Sequence, residues 1–331
     1  MSRARLIAAP DLRAGTLGPV LVALAGGVGA ARFLMGLARA VPPEEVTAVV
    51  NTADDDVFHG LHVSPALDSV TYTLAGASDR KQGWGLEGET YQVLGALERF
   101  GADTWFRLGD RDLATHIHRT RRLHEGAPLS AVTGEIAAAW GVRTRLLPMS
   151  DDAVSTRIAV EAPDGSRVEL RMQEWFVRDR CEPLVVGVRF EGAAASRPAP
   201  GVIDALSSAE TILICPSNPV ISIAPILAVP GVRDVLLARR DRVVGVSPII
   251  GGAPVKGPAD RLMRALGIEV SCVGVAREYA SLCGTLVIDA VDEERAAEVE
   301  AAGVRAVVAD TLMRSPEVAA GLARRTLEAV A

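Results

Sequence analysis

The stretch NTADDDVFHGLHVSPALDS, residues 51–69, sets Asp54, Asp55 and Asp56 in succession just past an apolar run and adds Asp68 a little farther on. Carboxylates at that density suit a hard cation such as magnesium, which keeps part of its coordination shell for water and phosphate oxygens. The plainer alternative is a solvated acidic loop in which Asp68 caps a helix. A second group lies in LGDRDLATHIHRTRR, residues 108–122, where Asp110 and Asp112 complement the dipole of a helix start. Capping does not explain Arg111, whose guanidinium suits an anion or a polar ring. The five histidines fall between residues 59 and 124 without a cysteine among them, so surface or supporting roles fit them better than zinc.

Three loops are built to present backbone donors. LAGGVGAARF carries Gly27 and Gly29, the first half of a dinucleotide fingerprint, but Arg32 stands where a third small residue belongs. The next apolar run, TAVVN, ends in Asn51 and not in the acid that would hold a ribose hydroxyl. The glycine turn can still offer N–H groups to an anion, or it is a tight strand-to-helix turn without a ligand. CPSNPVIS contributes Ser217 and Asn218, and SPIIGGAPVKGPAD contributes Gly251, Gly252 and Lys256. Proline and glycine there fix the backbone angles from which a cradle of N–H donors is made.

Each of these loops follows a short β-branched run, and longer amphipathic segments alternate with the runs. Strands are expected at 20–25, 46–51, 211–215, 242–247, 270–275 and 304–309. Helices are expected near 29–40, 87–99, 201–208, 257–266, 292–302 and 315–329. Residues 157–172 alternate with period two around Pro-Asp-Gly, which predicts an antiparallel hairpin. The fold class is therefore α/β: a Rossmann-like three-layer α/β/α arrangement with a mostly parallel sheet and a smaller inserted α+β subdomain. The expected borders are a flexible leader at 1–17, a main domain from 18–128 and 201–331, and the insert at 129–200.

Bulk properties narrow the function classes. A net charge of −6 without a basic block argues against a grip on nucleic-acid backbone. Cys181, Cys215, Cys272 and Cys283 show no paired spacing, which predicts reduced thiols and a cytoplasmic setting. The longest apolar stretch near the N-terminus, LGPVLVALAGGVGAA, is too short and glycine-rich to span a bilayer, so no membrane association is expected.

Together LAGGVGAARF, the NTADDD…HGL…SP.LDS block, GWG, LGDRDLATH, LLPMSDD, QEWFV, PSNPV.SI and SPIIGG resemble the 2-phospho-L-lactate transferase family (CofD/FbiA) of coenzyme F(420) biosynthesis. The resemblance runs in order from about residue 20 to the C-terminus. It implies an enzyme that takes lactyl- or enolpyruvyl-diphosphoguanosine and moves the phospho-three-carbon acid onto the ribityl hydroxyl of the deazaflavin FO. GMP leaves, magnesium is required, and a homodimer is expected. Under that reading Asp54, Asp55 and Asp68 hold magnesium, with Asp68 alternatively accepting the hydroxyl proton. Gly27, Gly29, Ser217, Asn218, Gly251, Gly252 and Lys256 cradle the guanosine diphosphate. Asp110 and Arg111 place FO and the acid, and Trp84 and Trp105 are stacking candidates for its ring. Family members often carry an acid where this chain has Ala66. The nearest alternative is a YvcK-like nucleotide-sugar-binding regulator, in which LGDRDLATH and GWG are not expected; a nicotinamide dehydrogenase fails on Arg32 and Asn51.

Overall fold

The computed structural model describes residues 21–79, 81–162 and 164–330, so the expected leader lies outside the described residues. Seven parallel strands form the central sheet. The first three are β1 (Leu21–Ala25), β2 (Val46–Val50) and β3 (Arg145–Pro148). A separate three-stranded antiparallel sheet follows, made of β4 (Ser155–Glu161), β5 (Arg167–Arg171) and β6 (Leu184–Glu191). The chain then returns with β7 (Thr211–Ile214), β8 (Val243–Val246), β9 (Thr285–Asp289) and β10 (Arg305–Ala309). The strand order is β10-β9-β8-β7-β1-β2-β3.

Strand β1 shows why this sheet is buried on both faces. Leu21, Ala23 and Ala25 join the core under α1 (Gly27–Ala40), α2 (Pro65–Leu74) and α6 (Pro316–Glu328), together with Phe33, Leu34, Leu67 and Leu322. Val22 and Leu24 point the other way, to Ile212, Ile226, Leu236 and the helix α5 (Cys272–Tyr279). That second core continues without a break into the insert, where Trp175 is fully buried and its indole N–H donates to the Pro183 carbonyl at 3.1 Å. No helix among the described residues is long and apolar enough to cross a membrane.

Two expectations change. Residues 270–275 do not form a strand: Ser271 caps α5 by accepting from the Gly274 N–H at 3.0 Å, and the strand lies later, at Thr285–Asp289. The run VSCVGVA is apolar all round because α5 is buried on most sides, which hides the helical period. The insert also begins later than residue 129. Helix α4 (Leu129–Ala139) packs on β3, and β3 pairs with β2 in the main sheet. The expected hairpin is present as β4–β5, with Arg157 opposite Arg171.

The order of strands reverses between β1 and β7, and open α/β sheets bind ligands in the crevice at such a point. The two loops there touch. Ser217 Oγ donates to the Gly26 carbonyl at 2.9 Å, and a Cβ on Gly29 would lie 2.4 Å from the Pro216 carbonyl oxygen. Gly29→Ala is therefore expected to destabilise the protein by roughly 1–3 kcal/mol, because the clash is with backbone that must shift. A urea unfolding midpoint indistinguishable from wild type would refute that reading of the turn.

Candidate active site

The acidic loop follows β2 and is fastened from three directions. Asn51, 1% exposed, donates through Nδ2 to Asp54 Oδ2 at 2.9 Å and to the Ile221 carbonyl at 3.0 Å, while its Oδ1 accepts from the Ala53 N–H. From the insert, the Thr156 N–H donates to the Ala53 carbonyl at 2.7 Å and Gln173 Nε2 to the Asp54 carbonyl at 3.1 Å. Arg171 reaches across to Asp56 at 2.5 Å. On the far side, His62 Nε2 and Ser64 Oγ both meet Asp55 Oδ2, at 3.1 and 2.6 Å.

Each aspartate thus has a partner for one oxygen, and Asp54 Oδ1, Asp55 Oδ1 and Asp56 Oδ2 are enclosed with none. Burial, with the neighbouring Asp55 charge adding to it, pushes the Asp54 carboxyl up to about 7 against the opposing pull of the Thr156 and Asn51 side chains. Burial also raises Asp55, against the opposing pull of His62, Ser64 and Arg119. Enclosed carboxylate oxygens without donors are costly unless a proton or cation neutralises them. Asp54 and Asp55 therefore fit a divalent cation. No cluster of three or more His, Cys, Asp or Glu side chains that could hold a metal ion is assembled among the described residues. Ala66, in the first turn of α2, is buried in the apolar core and offers no ligand.

Asp68 is placed differently from expectation. It sits on α2, 5% exposed, and both of its oxygens are engaged by Arg119 of α3 (Asp112–His124), with Nη1 to Oδ2 at 3.2 Å. Arg119 is itself 1% exposed. The pair belongs to a buried network: His116 Nδ1 lies 3.8 Å from Asp68, its Nε2 lies 3.1 Å from Asp112, and the Tyr72 hydroxyl donates to Asp112. Asp68 joins α2 to α3, and each of its oxygens is engaged by Arg119.

The LGDRD motif is likewise occupied within the chain. Asp110 accepts from Thr90 Oγ1 and from the N–H groups of Gln92 and Val93, capping the helix Gln92–Glu98, and those bonds hold its carboxyl below the usual range. The Arg111 side chain donates to the Glu87 carbonyl at 2.5 Å, and Glu89 accepts from the Arg111 and Asp112 N–H groups. Asn218 caps the turn after β7 by accepting from Val220 and Ile221, and the Gly251 N–H donates to Asp292. Gly251 and Gly252 both have positive φ, as their loop requires. Gly27, at φ 71°, opens α1, and no side chain caps the helix at Gly26. The first-turn N–H groups of α1 therefore have no side-chain competitor for an anion.

Trp105 packs edge-on against Phe58 at 5.2 Å in a small apolar cluster, whereas Trp84 is 38% exposed and lines a cleft beside Val28. A larger concavity of about 480 Å³ lies at the β3 edge beside α4, lined by none of the residues above. The site members without an individual sequence signal are Arg119, Arg171 and Gln173, each distant in sequence from the aspartates it serves. Asn51 had one: an amide exactly where the dinucleotide pattern wants an acid.

The description "2-phospho-L-lactate transferase CofD" belongs to the family model that matches residues 21–324. The chain belongs to the CofD family. This CofD protein is 47% identical over 310 residues to a phosphoenolpyruvate transferase of Streptomyces griseus, covering 93% of this chain and 97% of that one. A phosphoenolpyruvate transferase of Mycobacterium avium is 40% identical over 325 residues, covering 90% and 96%. Among solved structures, a UPF0052-family protein of Bacillus halodurans shares the fold with a TM-score of 0.59 at 16% identity, covering 95% of this chain and 100% of that one. The CofD protein is thus an enzyme, a transferase of coenzyme F(420) biosynthesis.

Proposed function

We propose that the enzyme transfers a phospho-three-carbon-acid group from its guanosine-diphosphate-activated donor to the ribityl hydroxyl of FO, releasing GMP. The phosphoenolpyruvate transferases among its relatives favour enolpyruvyl-diphosphoguanosine over the lactyl donor. The observation that carries the reading is the pair of enclosed, partnerless oxygens on Asp54 and Asp55 in the loop after β2, on the ligand-binding edge of the sheet.

In this reading the hydroxyl oxygen bonds to the phosphorus that bears the acid, the bond from that phosphorus to the GMP phosphate oxygen breaks, and the hydroxyl proton passes to solvent. Such a transfer needs positioning and charge neutralisation more than a covalent nucleophile. Asp54 and Asp55 hold magnesium, which when bound supplies neutralisation of the diphosphate. Gly27 and Gly29 keep the glycine turn open to phosphate oxygens, and Ser217 ties it to the loop after β7. Gly252 and Gly251 shape the neighbouring loop. Asn218, Asp110, Arg111 and Asp68 act as positioning residues, since each is bonded within the chain.

The test is to incubate the enzyme with FO, enolpyruvyl-diphosphoguanosine and magnesium, following GMP by chromatography and the product by mass. The expected result is GMP in step with a dehydro phosphodiester of FO, and none when magnesium is chelated. No FO turnover, with tight binding of a UDP-sugar instead, would overturn the assignment.

A further inference from the structure

The cleft beside the glycine turn has a charge imbalance that the reading above does not use. Val28, Arg32, Ser69, Trp84, Arg314 and Ser315 are among the residues that line it, and its volume is about 160 Å³. That is well below the roughly 300–1,000 Å³ of pockets that enclose drug-sized ligands, so a whole nucleotide does not fit while a three-carbon acid does.

The charged groups around it are unequal in their partners. Asp79 lines the cleft too, but its Oδ1 accepts from the N–H groups of Lys81 and Gln82, closing the turn. Arg314 is paired with Asp310 at 2.9 Å. Arg32, one turn into α1 and half-buried, has no hydrogen bond or ion pair among the described residues. Lys256 comes in from the loop after β8 and makes one bond, to the Gln82 carbonyl at 3.2 Å. The two cations converge on Gly83: a Cβ built there would lie 2.6 Å from Lys256 Nζ and 4.0 Å from Arg32 Nη2. The glycine, at φ 78°, is what lets the ammonium rest on the turn.

We propose that Arg32 and Lys256 form a clamp for a compact oxyanion, the carboxylate of the transferred three-carbon acid, with Trp84 walling the cleft beside it. Two like charges held over one glycine without a carboxylate between them repel, and an anion bridging them removes the repulsion. Lost hydration, with the Arg32 charge adding to it, lowers the Lys256 amine from its ordinary value, as an ammonium lacking its counter-ion should be. Guanidinium and ammonium together suit a carboxylate, one through a planar fork and the other as a point charge. The identity of the anion rests on the transferase reading; the clamp rests on the side chains.

Only Lys81 and Lys256 are lysines in this chain, so ¹³C-dimethylation of the full-length protein gives one signal for the clamp, one for Lys81 as internal control and one for the α-amine. Adding phosphoenolpyruvate is expected to shift the Lys256 signal saturably and raise its titration midpoint, leaving Lys81 unmoved. Arg32→Met should weaken phosphoenolpyruvate at least tenfold and leave GMP affinity unchanged, with its thermal midpoint confirming that it folds. A Lys256 signal that ignores phosphoenolpyruvate, or one that answers to GMP in its place, would overturn the clamp. A protein that moves nothing onto FO yet shows the Lys256 shift loses the transferase reading and keeps the clamp. Turnover with an unmoved Lys256 does the opposite.

Discussion

Asp54→Asn is expected to make the metal-free protein more heat-stable than wild type at pH 8 and to abolish its response to magnesium. The Asp54 carboxyl titrates near 7 in the folded protein against 3.8 as its ordinary value. Between about pH 4 and 7 the native state holds a proton that the unfolded chain has released, so stability falls as pH rises through that window and levels off above it. Full conversion of such a shift gives about 4 kcal/mol. Because Asp54 keeps some surface exposure, an effect on the order of 2–4 kcal/mol is the better expectation. In a domain this large that corresponds to roughly 3–6 °C in Tm. Asparagine carries no charge at any pH, and its side-chain carbonyl still accepts from Asn51. A cation competes with the same proton, so wild-type magnesium affinity should climb as pH rises through 7. Scanning calorimetry from pH 5 to 8.5, with and without magnesium, measures both effects. A variant whose Tm still rises with magnesium as the wild type's does would remove Asp54 from the cation site. Transfer activity should fall by about 10²-fold or more, the scale seen when an electrostatic contact to the transition state is lost.

The second large effect concerns Arg119. Arg119→Met should cost about 3–5 kcal/mol, because it leaves the Asp68 carboxylate buried without its partner. The loss reaches past the pair, since the Arg119 charge also steadies Asp55 and Asp112. Arg119→Lys should recover little, as an ammonium cannot reproduce the two-pronged contact with both Asp68 oxygens. Combining Arg119→Met with Asp68→Leu should restore most of the stability, because the uncompensated charge is then gone. Urea denaturation of the three variants reads this directly. A single Arg119→Met variant within about 1 kcal/mol of wild type would mean that water reaches Asp68 and the network is not the joint described here.

The contrast between Asp54 and Asp68 shows what could be read in the linear chain. Both are acids near a strand end, and type and position alone make both candidate ligands. Their fates diverge because Asp68 meets a guanidinium 51 residues away, across two helices. Nothing local announces that partner. The strands at β1, β2, β7, β8 and β10 were legible because each is a short β-branched run with glycine or polar punctuation. Cys272–Tyr279 was not, because burial on most sides removes the polar stripe that reveals a helix. LGDRD illustrates a third case. Its residue types suggest ligand contact, yet Asp110 and Arg111 close a helix cap and a loop. The Arg32 signal was present throughout, as the residue that breaks the glycine pattern, but its meaning depends on Lys256 arriving from the other half of the sheet.

The inserted sheet holds the acidic loop by backbone, amide and guanidinium at Ala53, Asp54 and Asp56. Those three attachments come from Thr156, Gln173 and Arg171, all within one hairpin and the turn after it. Peeling that hairpin from the main domain would therefore remove three fastenings of the loop at once and leave those from Asn51, His62 and Ser64, so opening of the insert and loosening of the loop are coupled. Any ligand that requires the aspartates in place therefore stabilises the docked insert, and opening of the insert weakens that ligand's apparent affinity. The small sheet thereby becomes a thermodynamic partner of whatever the loop binds.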